Sequence, residues 1–115
     1  MADLLVDTDI FIDHLRGTRP LVREEHWLSY SIVTRMELFG GRNDERATRR
    51  LLDTLTQLDL DVEIAEQAGR LSRDAQLDVA DALIAATALA HKLTVFTRNR
   101  RNFERVRGLK IRSPG

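Results

Sequence analysis

The sequence predicts an α/β fold of three layers, with a short, mainly parallel central sheet covered by helices, and three observations carry that prediction. Short apolar runs such as Leu4-Leu5-Val6 and Leu93-Thr94-Val95-Phe96 read as strands buried on both faces. Longer segments between them repeat apolar residues at helical spacing, as at Ile64, Ala65, Ala68 and Leu71, which reads as an amphipathic helix. Residues 79–90 are apolar on every face except for Asp81 and Thr87, the signature of a helix enclosed on all sides. Strands that alternate with helices make parallel sheets, because each helix is the crossover between neighbouring strands.

Residues 4–7 are expected as the first strand, followed by a helix over residues 9–15 that Gly17 ends. Pro20 is expected to open a second short helix, since proline suits a first helical position. Residues 27–31 alternate apolar and polar and read as a strand, with Trp27 in the core. Thr34 is the expected N-cap of a short helix over 35–39, closed by Gly40-Gly41. Asn43 is expected to cap a helix carrying Ala47, Leu51, Leu52 and Leu55. A short strand at 58–60, a helix at 62–75, the enclosed helix, a strand at 93–97, a helical turn at 102–106 and an edge strand at 109–111 complete the order.

A chain of 115 residues, 43% hydrophobic and 31% charged, has the length and composition of one domain spanning residues 1–115. No apolar run is long enough to cross a membrane, and Asp3 interrupts what would be a signal peptide. With no cysteine, disulfides, thiolate metal sites and a thiol nucleophile are excluded, and a cytoplasmic location is expected. Net charge is zero, yet residues 98–112 hold seven basic side chains against Glu104 alone. Arginine outnumbers lysine 16 to 2, which favours forked recognition of phosphate or carboxylate.

Three acids stand in apolar company. Asp7 closes the first strand, Glu37 lies between Met36 and Leu38-Phe39, and Asp81 sits near the start of the enclosed helix. A carboxylate in such surroundings loses solvation and needs hydrogen bonds, a cation or a proton. In open parallel sheets ligands bind outside the carboxyl ends of the strands. Asp7 ends one strand and Asn99 follows another, so both fall on one edge if the two strands are parallel neighbours. Asp9 and Asp13 are expected to cap or solvate the first helix, and His14, His26 and His91 to lie at surfaces or interfaces.

Four segments then carry a family resemblance: Val6-Asp7-Thr8-Asp9-Ile10-Phe11-Ile12-Asp13, Ser31-Ile32-Val33-Thr34-Arg35-Met36-Glu37-Leu38, Ala80-Asp81-Ala82-Leu83-Ile84-Ala85-Ala86-Thr87-Ala88-Leu89, and Leu93-Thr94-Val95-Phe96-Thr97-Arg98-Asn99-Arg100-Arg101-Asn102-Phe103. In this order they resemble a PIN-domain ribonuclease, more narrowly the VapC-type toxin of a toxin–antitoxin pair. The resemblance implies a magnesium- or manganese-dependent endoribonuclease, a homodimer, silenced by a cognate VapB-like antitoxin. It places Asp7, Glu37, Asp81 and Asn99 in the catalytic site, with Asp7 and Asp81 as direct metal ligands and Glu37 acting through water.

The sequence departs from the family where a fourth acid often stands, at Asn99 and Asn102, both neutral here. Asp9 and Asp78 are placed to restore part of that acidity. Arg98, Arg100 and Arg101 begin beside the expected site, where guanidinium groups suit RNA phosphates. Two rivals stand beside the enzyme: a PIN-fold binding module without catalysis, and a receiver-like signalling domain. The second needs a lysine after a late strand, and the only lysines are Lys92 and Lys110.

Overall fold

Five strands form one sheet in which every pairing is parallel, in the order β3-β2-β1-β4-β5. The computed structural model describes residues 3–23 and 26–114. The strands are β1 (Asp3–Val6), β2 (Trp27–Ser31), β3 (Thr56–Leu58), β4 (Thr94–Phe96) and β5 (Ile111–Arg112). The helices are α1 (Thr8–Leu15), α2 (Ile32–Gly40), α3 (Glu45–Asp53), α4 (Val62–Ala75) and α5 (Val79–His91).

Period-two alternation on β1 divides the core into two layers. Leu4 and Val6 face Ile10 and Phe11 of α1, Leu38 of α2 and Leu52 of α3. Leu5 faces the other way, onto Ile64 and Ala68 of α4 and the alanine-rich side of α5, with Val95, Phe103 and Val106. The layers are therefore helix, sheet, helix, as the sequence predicts. Phe11 meets Tyr30 edge-on at a centroid distance of 5.9 Å, a geometry that adds ~1 kcal/mol to burial. Ala82, Ile84, Ala85, Ala86, Thr87 and Ala88 are all buried, so α5 is enclosed nearly all round.

Local chemistry shifts several expected boundaries. Ser31, not Thr34, caps α2, its hydroxyl accepting from Val33 N at 3.1 Å. Asp44, not Asn43, caps α3 through Ala47 N at 2.9 Å. Asn43 instead donates from Nδ2 to the Leu38 carbonyl at 2.9 Å, closing the end of α2. The expected short helix at Pro20 is absent from residues 20–23, and residues 24–25 lie outside the described residues. There the chain is tied back by Leu21 N donating to His14 Nδ1 at 2.8 Å, which gives that half-buried histidine a structural duty. The third strand falls at 56–58, the helical turn is a 3₁₀ turn at Arg100–Asn102, and the last strand begins at Ile111.

Trp27 is 61% exposed and not in the core. It opens β2 opposite Asp3 at the amino end of the sheet. Ala65 is likewise exposed on α4, because Ile64 and Ala68 alone supply its buried stripe.

Candidate functional site

The sheet order reverses between β1 and β4, and ligands of open parallel sheets bind at such a point, outside the carboxyl ends of the strands. Val6 pairs with Phe96, so the next residues, Asp7 and Thr97, emerge side by side. Asp7 N donates to the Phe96 carbonyl at 2.9 Å and holds the junction. Asp7 is also the N-cap of α1, where Oδ1 accepts from Thr8 N at 2.8 Å. Its other oxygen, Oδ2, accepts from the Thr97 hydroxyl at 2.8 Å. The aspartate is 6% exposed.

Burial and then the charge of Asp9 push the Asp7 carboxyl up from 3.8 to about 7, Asp81 adding a smaller push. The bonds from Thr97 and Thr8 N act in the opposite sense without cancelling them. Asp81, in the first turn of α5, is pushed up to about 6 by burial, then by the charges of Asp78, Glu37 and Asp9. These mutual effects place Asp7, Asp9, Glu37, Asp78 and Asp81 in one electrostatic field at the sheet edge.

Glu37 is half-buried on α2. Its Oε1 accepts from the Thr8 hydroxyl at 2.6 Å, and Thr8 Oγ1 also pairs with Thr34 Oγ1 at 3.0 Å. Thr34 is fully buried, so the chain Thr34–Thr8–Glu37 anchors the carboxylate in the core between α1 and α2. The sequence placed Thr34 as a cap, and only the packing of α1 on α2 gives it this duty.

Asp9 joins the edge more closely than its place on α1 foretold. It is 7% exposed, and Oδ2 accepts from Arg98 N at 3.1 Å, with Thr97 Oγ1 at 3.4 Å. Burial raises its pKa, against the Arg98 amide and guanidinium. The Ile10 and Asn99 amides add weaker support, being committed to the Asp7 carbonyl and to Thr97 Oγ1. Asp9 Oδ1 is buried with no hydrogen-bond partner.

The arginines divide. Arg98 Nε lies 3.7 Å from Asp9 Oδ2 and 3.6 Å from Asp13 Oδ2. Arg100 Nε lies 3.6 Å from Glu104 Oε1, and its Nη1 donates to the Ile111 carbonyl at 3.3 Å. Arg101 is exposed on the 3₁₀ turn. Asn99 is exposed beside Thr97 and donates its backbone N–H to Thr97 Oγ1 at 3.0 Å. Asn102 is exposed on the same turn.

This edge offers hard oxygen donors, crowded carboxylates and one buried oxygen without a donor, which is the donor chemistry a hard divalent cation takes. Among the described residues, no three acid or histidine side chains already close on one point. Magnesium needs no such cage, because it keeps several waters and uses one or two carboxylates directly.

A three-layer sheet with acids gathered at its switch point defines the PIN class, and the chain belongs to the PIN domain family, whose profile matches residues 4–109. It is similar to ribonuclease VapC10 of Mycobacterium tuberculosis, at 32% identity over 120 residues covering 93% of this chain and 90% of that one. It is also similar to ribonuclease VapC1 of Methanocaldococcus jannaschii, at 29% identity over 121 residues covering 96% and 87%. Among solved structures, a toxin–antitoxin complex from Klebsiella pneumoniae superposes with a TM-score of 0.78 at 32% identity, covering 92% of this chain and 94% of that one. DNA-bound VapBC from Salmonella typhimurium gives a TM-score of 0.80 at 27% identity, covering 98% of each chain.

Proposed function

We propose that this chain is the toxin of a toxin–antitoxin pair, an endoribonuclease that hydrolyses cellular RNA with magnesium or manganese. The observation that carries the reading is the convergence of Asp7, Glu37 and Asp81 at the carboxyl edge, with Asp7 and Asp81 raised by burial and by neighbouring charge. The ribonuclease names of its relatives and the toxin–antitoxin complexes among its structural neighbours support it.

Asp7 and Asp81 hold the ion in this reading, one from the end of β1 and one from the first turn of α5. A divalent ion there acidifies a water and offsets charge on the scissile phosphate. Thr97 keeps Asp7 Oδ2 in place. Glu37, fixed by Thr8, orients the attacking water and takes up its proton. Asn99 supplies a neutral polar group at the mouth of the site. Arg98, Arg100 and Arg101 form the phosphate-facing rim.

The partner is a VapB-like antitoxin whose basic side chain enters the acidic edge. An apolar groove beside Asp13, lined by Ile10, Leu21, Val22, Phe96 and Pro114, gives the preceding segment a seat. The working form is a cytoplasmic homodimer built on one PIN domain over residues 1–115. Among the described residues no helix is long and apolar enough to cross a membrane.

A second reading, a PIN-fold binding module without catalysis, takes support from there being no closed three-ligand cluster among the described residues. RNA cleavage assayed with purified protein decides between them. Manganese-dependent cleavage that disappears in Asp7→Asn supports the enzyme. Cleavage that is absent in the wild type with metal present, or that persists in Asp7→Asn, removes it.

A further inference from the structure

Asp9 poses a physical question that its place on α1 does not answer. Its side chain is nine-tenths buried, and it lies beside another buried carboxylate, that of Asp7. One hydroxyl, Thr97 Oγ1, stands 2.8 Å from Asp7 Oδ2 and 3.4 Å from Asp9 Oδ2, so the two acids converge on it. Thr97 has a single hydroxyl proton, and the shorter distance commits it to Asp7. Asp9 Oδ2 is satisfied by the Arg98 amide at 3.1 Å, with the guanidinium at 3.7 Å. Asp9 Oδ1 has no donor among the described residues. A buried carboxylate oxygen without a partner destabilises the fold, a cost that a bound cation removes.

We infer that Asp9 is a further carboxylate of the cation site, its unpartnered Oδ1 facing the same ion as Asp7 and Asp81, with the Arg98 backbone amide holding the opposite oxygen. This rests on the metal-dependent reading of the site and extends it to a residue that reading does not use. The charge of Asp9 is felt at both Asp7 and Asp81, which places it within the same cluster. The competing role is purely structural: Asp9 anchors residues 97–99 to α1 through Arg98 N. Asn at position 9 keeps an oxygen for that amide while removing the charge, so the two roles separate.

The test is calorimetric titration of manganese into the full chain at pH 8, with thermal melts of the metal-free proteins. Asp9→Asn is expected to weaken manganese binding about tenfold, the loss typical of an altered ligand environment, while melting no lower than wild type without metal. Asp13→Asn, at a carboxylate 3.6 Å from the Arg98 guanidinium, is expected to bind as wild type does. Arg98→Gln, at a side chain 54% exposed, keeps the amide bond and removes a competing cation, so it binds manganese at least as tightly. Unchanged affinity in Asp9→Asn overturns the inference and leaves the nuclease reading standing, as does an equal loss in Asp13→Asn. Weaker binding in Arg98→Gln also overturns it, and does so independently of how Asp9→Asn folds. A wild type that binds no manganese overturns both.

Discussion

Among the described residues four helices begin at an aspartate, and the four do two different things. Asp44 and Asp61 turn their carboxylates onto their own helices, accepting from Ala47 N at 2.9 Å and Ile64 N at 2.8 Å. Both are exposed, and both are ordinary N-caps that satisfy an orphan amide two or three residues on. Asp7 begins α1 but reaches only the adjacent Thr8 N, and its second oxygen goes to Thr97 across the sheet. Asp78 begins α5 and makes no side-chain cap bond. Residue type and helix position are the same in all four. What differs is whether the carboxylate turns back onto its own helix or acts on the other acids of the β1–β4 edge, so a local sequence rule cannot separate caps from site acids.

The largest expected effect tests that division directly. Asp7→Asn should lower RNA cleavage by more than the roughly 10–100-fold that altering a ligand's partner typically costs. At pH 8 without metal the same variant should melt higher than wild type, because a buried charge has been removed. Asp44→Asn should leave cleavage unchanged and shift stability by less than ~0.5 kcal/mol, since Asn caps about as well as Asp. Cleavage rates and melting temperatures of the two variants, side by side, check it. Comparable activity losses in both would break the distinction.

The threonines that fix the site acids come next. Thr97→Val removes the bond to Asp7 Oδ2 while keeping the volume, and Thr8→Val does the same for Glu37 Oε1. Each should reduce cleavage about tenfold. Thr97→Val should weaken manganese binding, whereas Thr8→Val should spare it and lower turnover. The split, read from calorimetry and from kcat, assigns Asp7 to the ion and Glu37 to the water.

Most of the fold was legible because the signals were local and periodic. The apolar run of β1, the enclosed helix α5 and the span of α4 came from residue order alone. What was not legible depended on partners far away in sequence. Trp27 looks like core material until its place at the amino end of the sheet is seen, and Thr34 looks like a cap until α1 packs on α2. The three principal acids stood out because each interrupts an apolar segment. Asp9 was legible only as an acid that restores part of the missing charge, because the bond that draws it into the site comes from Arg98 N, nearly ninety positions on.

Two raised carboxyls set the expected pH behaviour. Without metal, Asp7 near 7 and Asp81 near 6 hold protons in the folded state that the unfolded chain, at 3.8, has already released. Folded protein then binds more protons than unfolded, so metal-free stability falls as pH rises through this window. A metal ion competes with those same protons, so manganese affinity should climb through pH 6 to 7 and level off above it. Melts and titrations from pH 5 to 8 give both curves. Metal affinity independent of pH across that range would refute Asp7 and Asp81 as the ligands.

The smallest effect is the sharpest for the comparison, because it concerns two residues in the same structural position. Asp61→Ala removes a cap bond of 2.8 Å from α4 and should cost ~1 kcal/mol of stability with no change in cleavage or its pH dependence. Asp78→Ala removes no side-chain cap bond from α5, so the hydrogen-bond part of that loss is missing. What it removes is charge: Asp78 is the largest contributor after burial to the raised pKa of Asp81. The Asp81 carboxyl should therefore ionise at lower pH in Asp78→Ala, and the rise in manganese affinity should begin lower as well. Because Asp78 is exposed, solvent and salt screen its field, so the displacement should be a fraction of a pH unit and should shrink at high ionic strength. A pH profile of manganese binding in low and high salt measures it. If Asp61→Ala moves the profile instead, or if Asp78→Ala costs the stability and leaves the profile in place, the two kinds of helix start are not distinct.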